Sequence, residues 1–238
     1  MKTGTLFGIG VGPGDPDLIT LKAVNTLKGV DMVFAAASTT NSHSLAEKIV
    51  TPHLKNGVTI KRLNFPMTRD KEVLEAAWRQ NADVVINTLK KGQDAALITL
   101  GDPLTYSTFG YVMRMIKATG PEFPIKIIPG ITSYQAGSAS AGLTLAEGEE
   151  SFTVVSGALG PENLKKVIGS TDTVVMLKVY RNYKEIFETL HELDLTDRSV
   201  LISKCGLDGE EVFRDIKDRP DTVPPYLSLL LIKKKKSE

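Results

Sequence analysis

The sequence predicts an α/β protein of two domains, the first built on a mostly parallel sheet and the second on a mixed one. Three observations carry that expectation. Short β-branched runs alternate with longer helical patterns through the first half, which is the rhythm of parallel βαβ units. The stretch TGPEFP (119–124), with two prolines and a glycine, then interrupts the periodicity. Near the end, SVLISKC (199–205), EEVFRD (210–215) and YLSLLLIKK (226–234) follow one another with no helical pattern between them, so part of the second sheet is antiparallel.

Taken in order, TLFGIGVG (5–12) reads as a buried strand and DPDLITLKAVNTLKG (15–29) as one helix ended by Gly29. Asp15 suits its N-cap, Pro16 its first turn, and Leu18, Leu21, Val24 and Leu27 repeat on one face. DMVFAAA (31–37) is a second strand, 43–54 a helix, VTIKRLNF (58–65) a third strand and 69–91 a long amphipathic helix. AALITL (95–100) is a fourth strand, with a helix from Ser107 to Ala118. The first domain is therefore expected over 1–119, a linker at 120–124 and the second domain over 125–238. In the latter, IKIIPG (125–130), FTVVSG (152–157) and TVVMLKV (173–179) read as strands. A small-residue helix runs from Ser133 to Gly142, with further helices near 161–168 and 182–193.

Composition limits the function classes. The chain has 238 residues, 42% hydrophobic and 24% charged, an ordinary globular balance. Lys plus Arg (29) against Asp plus Glu (28) gives a net charge of +1, so no general basic field draws in nucleic acid. No run approaches the roughly 20 apolar residues of a membrane span, and MKTGTLFGIG lacks a signal-peptide core. A cytoplasmic protein without a membrane partner is expected. One cysteine, Cys205, and three scattered histidines, His43, His53 and His191, assemble no metal-ligand spacing, so no protein-bound metal is expected. The closing KKKKSE reads as a solvated tail.

Ligands of open α/β sheets sit at the carboxyl ends of the strands. Three loops there are unusual. GIGVGPGDPDLITLKA (8–23) fails G-x-G-x-x-G in both registers, since Gly8-x-Gly10 leads to Pro13 and Gly10-x-Gly12 leads to Asp15. No Gly-Lys pair makes a P-loop, and Asp31 begins its strand where a ribose-binding acid belongs at the far end, so NAD(P) and nucleoside triphosphates are not supported. A tight turn with a helix cap remains an equal reading of this loop. In LITLGDPLTYSTFG (97–110), Gly101 permits close approach of a ligand, Pro103 stiffens the corner, and Asp102 is either a ligand acceptor or the cap of the next helix. IIPGITSYQAGSASAG (127–142) offers Thr132 and Ser133 hydroxyls at a helix start, followed by small residues suited to close packing. Ser138 lacks the leading glycine of a nucleophile elbow, and nothing near Cys205 supplies a base, so a hydrolase or thiol mechanism is disfavoured.

Together, GxGxGPGDPDLITLKA, GDPLTYSTF and IPGITSYQA, in this order and spacing, resemble the tetrapyrrole methylase family, the S-adenosylmethionine-dependent enzymes of cobalamin and sirohaem synthesis. NFPMTRD (64–70), GDPLTYSTFGYVMR (101–114), VVMLKVYRNYKEI (174–186) and PPYLSLLLI (224–232) are similar to the branch that methylates C20 of precorrin-2 or cobalt-factor II. The resemblance runs from first strand to last. It implies homodimers of two α/β domains with the cofactor, S-adenosylmethionine, in a cleft between them and S-adenosylhomocysteine as product. Any cobalt would belong to the tetrapyrrole substrate.

Residue by residue, the resemblance implies cofactor contacts from Gly101, Asp102, Leu104, Tyr106 and Ser107, from Thr132 and Ser133, from Leu177 and Lys178 beside the adenine, and from Leu227 and Ser228 closing that pocket. Lys178 departs from the methionine of the wider family. Pro13 and Asp15 are expected to line the substrate trough. Methyl transfer from a sulfonium to a nucleophilic ring carbon needs alignment above all, and orientation can supply roughly 7–11 kcal/mol of such a barrier. Tyr106 and Asp102 are the catalytic candidates for removing the C20 proton. The macrocycle's acetates and propionates call for basic partners, of which Arg114 and Arg181 are preferred over Lys22, Arg69 and Lys184. The rival acceptors are uroporphyrinogen III, another corrin-ring intermediate and, from a different class, ribosomal RNA ribose; a non-catalytic ligand-binding module is the remaining alternative.

Overall fold

Apolar residues on both faces of the first strands dictate a sheet covered on both sides. The computed structural model describes residues 2–37, 45–119 and 122–234, and the chain divides into two units, Met1–Thr132 and Ser133–Glu238. In the first unit, β1 (Leu6–Gly10), β2 (Met32–Ala37), β3 (Thr59–Asn64), β4 (Ala95–Thr99) and β5 (Ile125–Ile128) form an all-parallel sheet in the order β3-β2-β4-β1-β5. Leu6, Phe34 and Leu97 point to a core shared with Val85 and Leu89 of α3 (Lys71–Lys90) and with Phe109 and Val112 of α4 (Phe109–Ala118). Ile9, Val33 and Ile98 point to the opposite core, with Ala23 and Leu27 of α1 (Leu21–Leu27) and Ile49 and Val50 of α2 (Leu45–Val50). Helices therefore cover both faces. The first sheet is wholly parallel, as the alternating pattern required.

The segment 15–29 differs from expectation. It holds a 3₁₀ turn (Pro16–Leu18), an extended Ile19 and only then α1. Two caps divide it: Asp15 Oδ1 accepts from the Asp17 N–H at 2.8 Å, and Thr20 Oγ1 accepts from the Ala23 N–H at 3.2 Å. The predicted apolar face breaks accordingly, and Leu21 is 82% exposed. Of the helix expected over 43–54, residues 43–44 lie outside the described residues, and the rest is α2 followed by a 3₁₀ turn at Thr51–His53.

TGPEFP, expected as the linker, joins α4 to β5, and β5 pairs in parallel with β1. Residues 120–121 of that stretch lie outside the described residues. Proline and glycine mark a turn inside a sheet as readily as a domain linker, and the division falls instead between Thr132 and Ser133.

The second unit contains α5 (Ser133–Ala141), β6 (Phe152–Ser156), α6 (Glu162–Val167), β7 (Thr173–Leu177), α7 (Tyr183–Glu192), β8 (Ser199–Ser203), β9 (Glu211–Phe213) and β10 (Ser228–Lys233). Its sheet order is β6-β7-β10-β8-β9; β6 and β7 are parallel, and the other pairs are antiparallel. The mixed sheet is as expected. Leu164, Ile186, Phe187 and Leu190 cover one face. On the other, a Cβ on Gly137 of α5 would come within 3.0 Å of Ile202 and 3.8 Å of Leu229, so the small-residue helix is small because it lies against β8 and β10. Lys233, expected near the tail, is the buried last residue of β10, its Nζ 3.3 Å from Glu150; residues 235–238 lie outside the described residues.

Candidate functional site

At the carboxyl edge of the first sheet, backbones rather than side chains decide which residues are allowed. Gly12 and Gly101 form an antiparallel bridge, the Gly101 N–H donating to the Gly12 carbonyl at 2.7 Å. A Cβ on Gly10 would lie 2.5 Å from the Gly101 carbonyl and 2.7 Å from the Gly130 nitrogen, and one on Gly130 would strike Gly101 and Gly10 in turn. The ends of β1, β4 and β5 thus interlock through three glycines. A Cβ on Gly8 would meet the Phe109 ring, which explains the first glycine of the series as room for α4. Gly101 is not sterically required to be glycine, since a Cβ there would make only ordinary contacts with Thr132 and Ile131 at 3.9 and 4.0 Å; its φ of +72° is what demands glycine.

Asp102 ties two of the loops together. Its Oδ1 accepts from the Leu104 N–H at 2.9 Å and from Thr105 Oγ1 at 3.4 Å, and its Oδ2 accepts from the Gly130 N–H at 3.2 Å. The carboxylate therefore shapes its own turn and anchors the loop after β5. Leu104 is 58% exposed, and Tyr106 is 51% exposed with a φ of 49°, rare for a residue with a side chain. Ser107 Oγ accepts from the Phe109 N–H at 3.2 Å as α4 begins. Thr132 is buried at the end of the unit. Thr99 Oγ1, at the end of β4, is buried without a hydrogen-bond partner.

Pro13 is buried and Asp15 half-buried, with Asp15 occupied in capping the 3₁₀ turn. Arg114 packs on its own helix. It lies on α4 with its guanidinium carbon 5.1 Å from the centre of the Tyr111 ring, which stacks on Trp78 of α3 at 4.2 Å. Lys22 and Arg69 are exposed.

The second unit gathers its predicted residues at one edge, where β7 and β8 end and β10 begins. Leu177 pairs with Leu229 and Ser203 with Ser228, so Lys178 and Lys204 flank the start of β10. Both have left-handed backbones, φ 60° and 53°. Ser228 Oγ donates to the Pro225 carbonyl at 2.8 Å and accepts from Ser203 Oγ at 2.8 Å, and the Leu227 carbonyl accepts from the Lys204 N–H at 2.7 Å. Arg181 lies over the Tyr180 ring at 5.3 Å, and Tyr180 meets Tyr226 edge-on at 5.1 Å. Lys184 is exposed on α7. Ser133 opens α5. Tyr180, Tyr226 and Lys204 were absent from the sequence reading; the tyrosines stand inside the quoted KVYR and PPYL runs, and they become visible as a cluster only once β7 and β10 pair.

Two buried groups of this unit, one of them next to Lys204, have raised pKa values. Burial, with the Glu210 charge adding and a Ser140 hydrogen bond opposing, raises the Cys205 thiol to about 11. Burial raises Tyr183 to about 12, opposed by Arg219. A buried, protonated thiol is a poor nucleophile. Among the described residues no cluster of His, Cys, Asp and Glu could hold a metal ion, and no helix is long and apolar enough to cross a membrane.

Residues 5–217 match the family described as Tetrapyrrole (Corrin/Porphyrin) Methylases. The chain belongs to the tetrapyrrole methylases. It is 32% identical to the cobalt-precorrin-2 C(20)-methyltransferase of Salmonella typhimurium over 232 residues, 97% of each chain. It is 34% identical to a probable cobalt-precorrin-2 C(20)-methyltransferase of Methanocaldococcus jannaschii over 96% of each. A uroporphyrinogen-III C-methyltransferase of Methanobacterium ivanovii is 28% identical over 94% of this chain and 95% of its own. In fold, this tetrapyrrole methylase is similar to the uroporphyrin-III C-methyl transferase of Thermus thermophilus, solved with S-adenyl homocysteine, at a TM-score of 0.68 and 20% identity over 97% of this chain and 98% of the other.

Proposed function

We propose that this tetrapyrrole methylase transfers a methyl group from S-adenosylmethionine to C20 of precorrin-2 or cobalt-factor II in cobalamin biosynthesis. The observation that carries the reading is full-length identity of 32% and 34% to proteins named for that reaction, against 28% for the uroporphyrinogen-III enzyme. The local chemistry of the first sheet's edge is consistent with a cofactor: a left-handed glycine, Gly101, follows β4, and Thr99 offers a buried hydroxyl without a partner at the end of the same strand.

When bound, S-adenosylmethionine supplies an electrophilic methyl group on a sulfonium. In this reading Gly101 admits the ligand against the backbone, with Leu104, Tyr106 and Ser107 beside it. Thr132 and Ser133 hold its carboxylate end, and Leu177, Lys178, Leu227 and Ser228 line the adenine pocket. Asp102, with both oxygens engaged by its own loops, keeps the cradle in shape and is not the base. The half-exposed Tyr106 hydroxyl relays the C20 proton to solvent. Pro13 and Asp15 border the trough. Arg181 binds substrate carboxylates; Arg114, turned onto Tyr111, is the weaker of the two candidates.

The protein is expected in the cytoplasm as a homodimer. The near-neutral charge argues against an RNA acceptor. Incubation with methyl-labelled S-adenosylmethionine and, in parallel, precorrin-2, cobalt-factor II, uroporphyrinogen III and ribosomal RNA tests the reading. Label is expected in precorrin-2 or cobalt-factor II; label in uroporphyrinogen III or RNA alone overturns it.

A further inference from the structure

We infer that the uncovered first half of α3, together with Tyr111 and Arg114 of α4, is the face through which two copies of this chain pair about a two-fold axis. Along α3 the residues Leu74, Trp78, Ala82, Val85 and Leu89 fall on one stripe at helical spacing. The last three are buried in the core of the first sheet, whereas none of the first ten residues of α3, about 15 Å of helix, is buried. The stripe therefore runs on past the core it covers. A half-helix of that length gains little from its own hydrogen bonds and is held by what packs on it.

Within the chain, the Trp78 ring stacks on the Tyr111 ring at 4.2 Å with the planes 3° apart, yet Tyr111 stays 36% exposed, and Met67, in the loop leading into α3, is 59% exposed. A contiguous aromatic and apolar surface of this kind marks an interface. Its charges say which partner fits. Glu75 lies one turn before Trp78, and the Arg114 guanidinium lies over the Tyr111 ring at 5.1 Å, so an acid borders the α3 side of the stack and a cation the α4 side. Both are exposed, and among the described residues neither forms an ion pair. A two-fold axis through the stack sets Glu75 of each copy opposite Arg114 of the other, so the face is complementary to itself. The remaining exposed charges, Lys71, Glu72 and Arg79 of α3 and Lys117 of α4, are left to the rim. Arg114, the weaker candidate for substrate carboxylates, is thereby engaged by the second copy.

Sedimentation equilibrium of the full chain tests this, with the dimer dissociation constant as the readout. Glu75→Arg and Arg114→Glu each set like charges against each other across the axis and are expected to raise that constant at least about tenfold. The double variant Glu75→Arg/Arg114→Glu restores opposite charges and is expected to return to within about threefold of wild type, a recovery that a merely local role of either residue does not produce. Tyr111→Glu, at an exposed position, is expected to give a monomer that still unfolds cooperatively. A wild-type monomer at micromolar concentration overturns the inference. So does a dissociation constant unchanged in both single variants and in Tyr111→Glu, which assigns this face to some other partner, or a double variant that dimerises no better than the weaker single one. The methyl-transfer reaction is not at stake in any of these outcomes.

Discussion

Gly10, Gly101 and Gly130 are adjacent in space but are glycine for different reasons. The first two sequence signals, a glycine-rich loop and a Gly-Asp-Pro corner, were legible as a site because glycine spacing stands out in any sequence. That Gly10 and Gly130 serve backbone contact was not legible, because the contact joins residues 120 positions apart. Gly10→Ala is expected to destabilise the protein by about 1–3 kcal/mol through overpacking, measured by urea unfolding. Gly101→Ala meets no such obstruction; it is expected to lose about 1–2 kcal/mol from its left-handed backbone and, in addition, to weaken S-adenosylhomocysteine binding by calorimetry. Asp102→Ala leaves the Gly130 and Leu104 amides without an acceptor, with an expected loss of about 1–3 kcal/mol; undiminished stability would show that the loops hold without it.

Tyr183 gives a prediction free of the site. Its hydroxyl is buried without a partner, so Tyr183→Phe is expected to raise the melting temperature. The alkaline limb of stability follows from the same residue and Cys205. Both folded-state values are raised, from 9.0 to about 11 for Cys205 and from 10.0 to about 12 for Tyr183. The unfolded chain therefore releases these protons first. Their contribution is whole below pH 9 and is lost as pH rises toward 12. Tyr183→Phe is expected to flatten the loss between pH 10 and 12, and a limb identical to wild type would contradict the assignment.

At the scale of elements, the alternation of strands and helices was readable because periods of 2 and 3.6 differ plainly, and both sheet types followed from it. The split of 15–29 was missed because Leu18, Leu21, Val24 and Leu27 mimic a helical face although Thr20 is extended. Thr20 was the available signal, a hydroxyl three residues before an amide in need of an acceptor. Thr20→Ala is expected to remove about 1 kcal/mol by shortening α1, seen as faster amide exchange at Ala23. The last strand carries a second lesson. Its apolar run is the buried centre of the second sheet, paired on both sides, so it offers no face for assembly.

For the whole molecule, the family was legible because three separated loops agree in order and spacing, whereas the unit boundary was not, since TGPEFP and IIPGITS carry similar turn residues and only strand pairing tells them apart. Light scattering is expected to give about twice the 25.8 kDa chain mass, and a monomer at micromolar concentration would remove the homodimer from the account. Single turnovers with carbon-13 methyl S-adenosylmethionine, each against uroporphyrinogen III mixed equally with precorrin-2 or with cobalt-factor II and read by carbon-13 NMR of the isolated, metal-free product, decide the acceptor. One new methyl signal is expected, on C20 of precorrin-2 or cobalt-factor II; a label on any other ring carbon, or on uroporphyrinogen III, rules that reaction out.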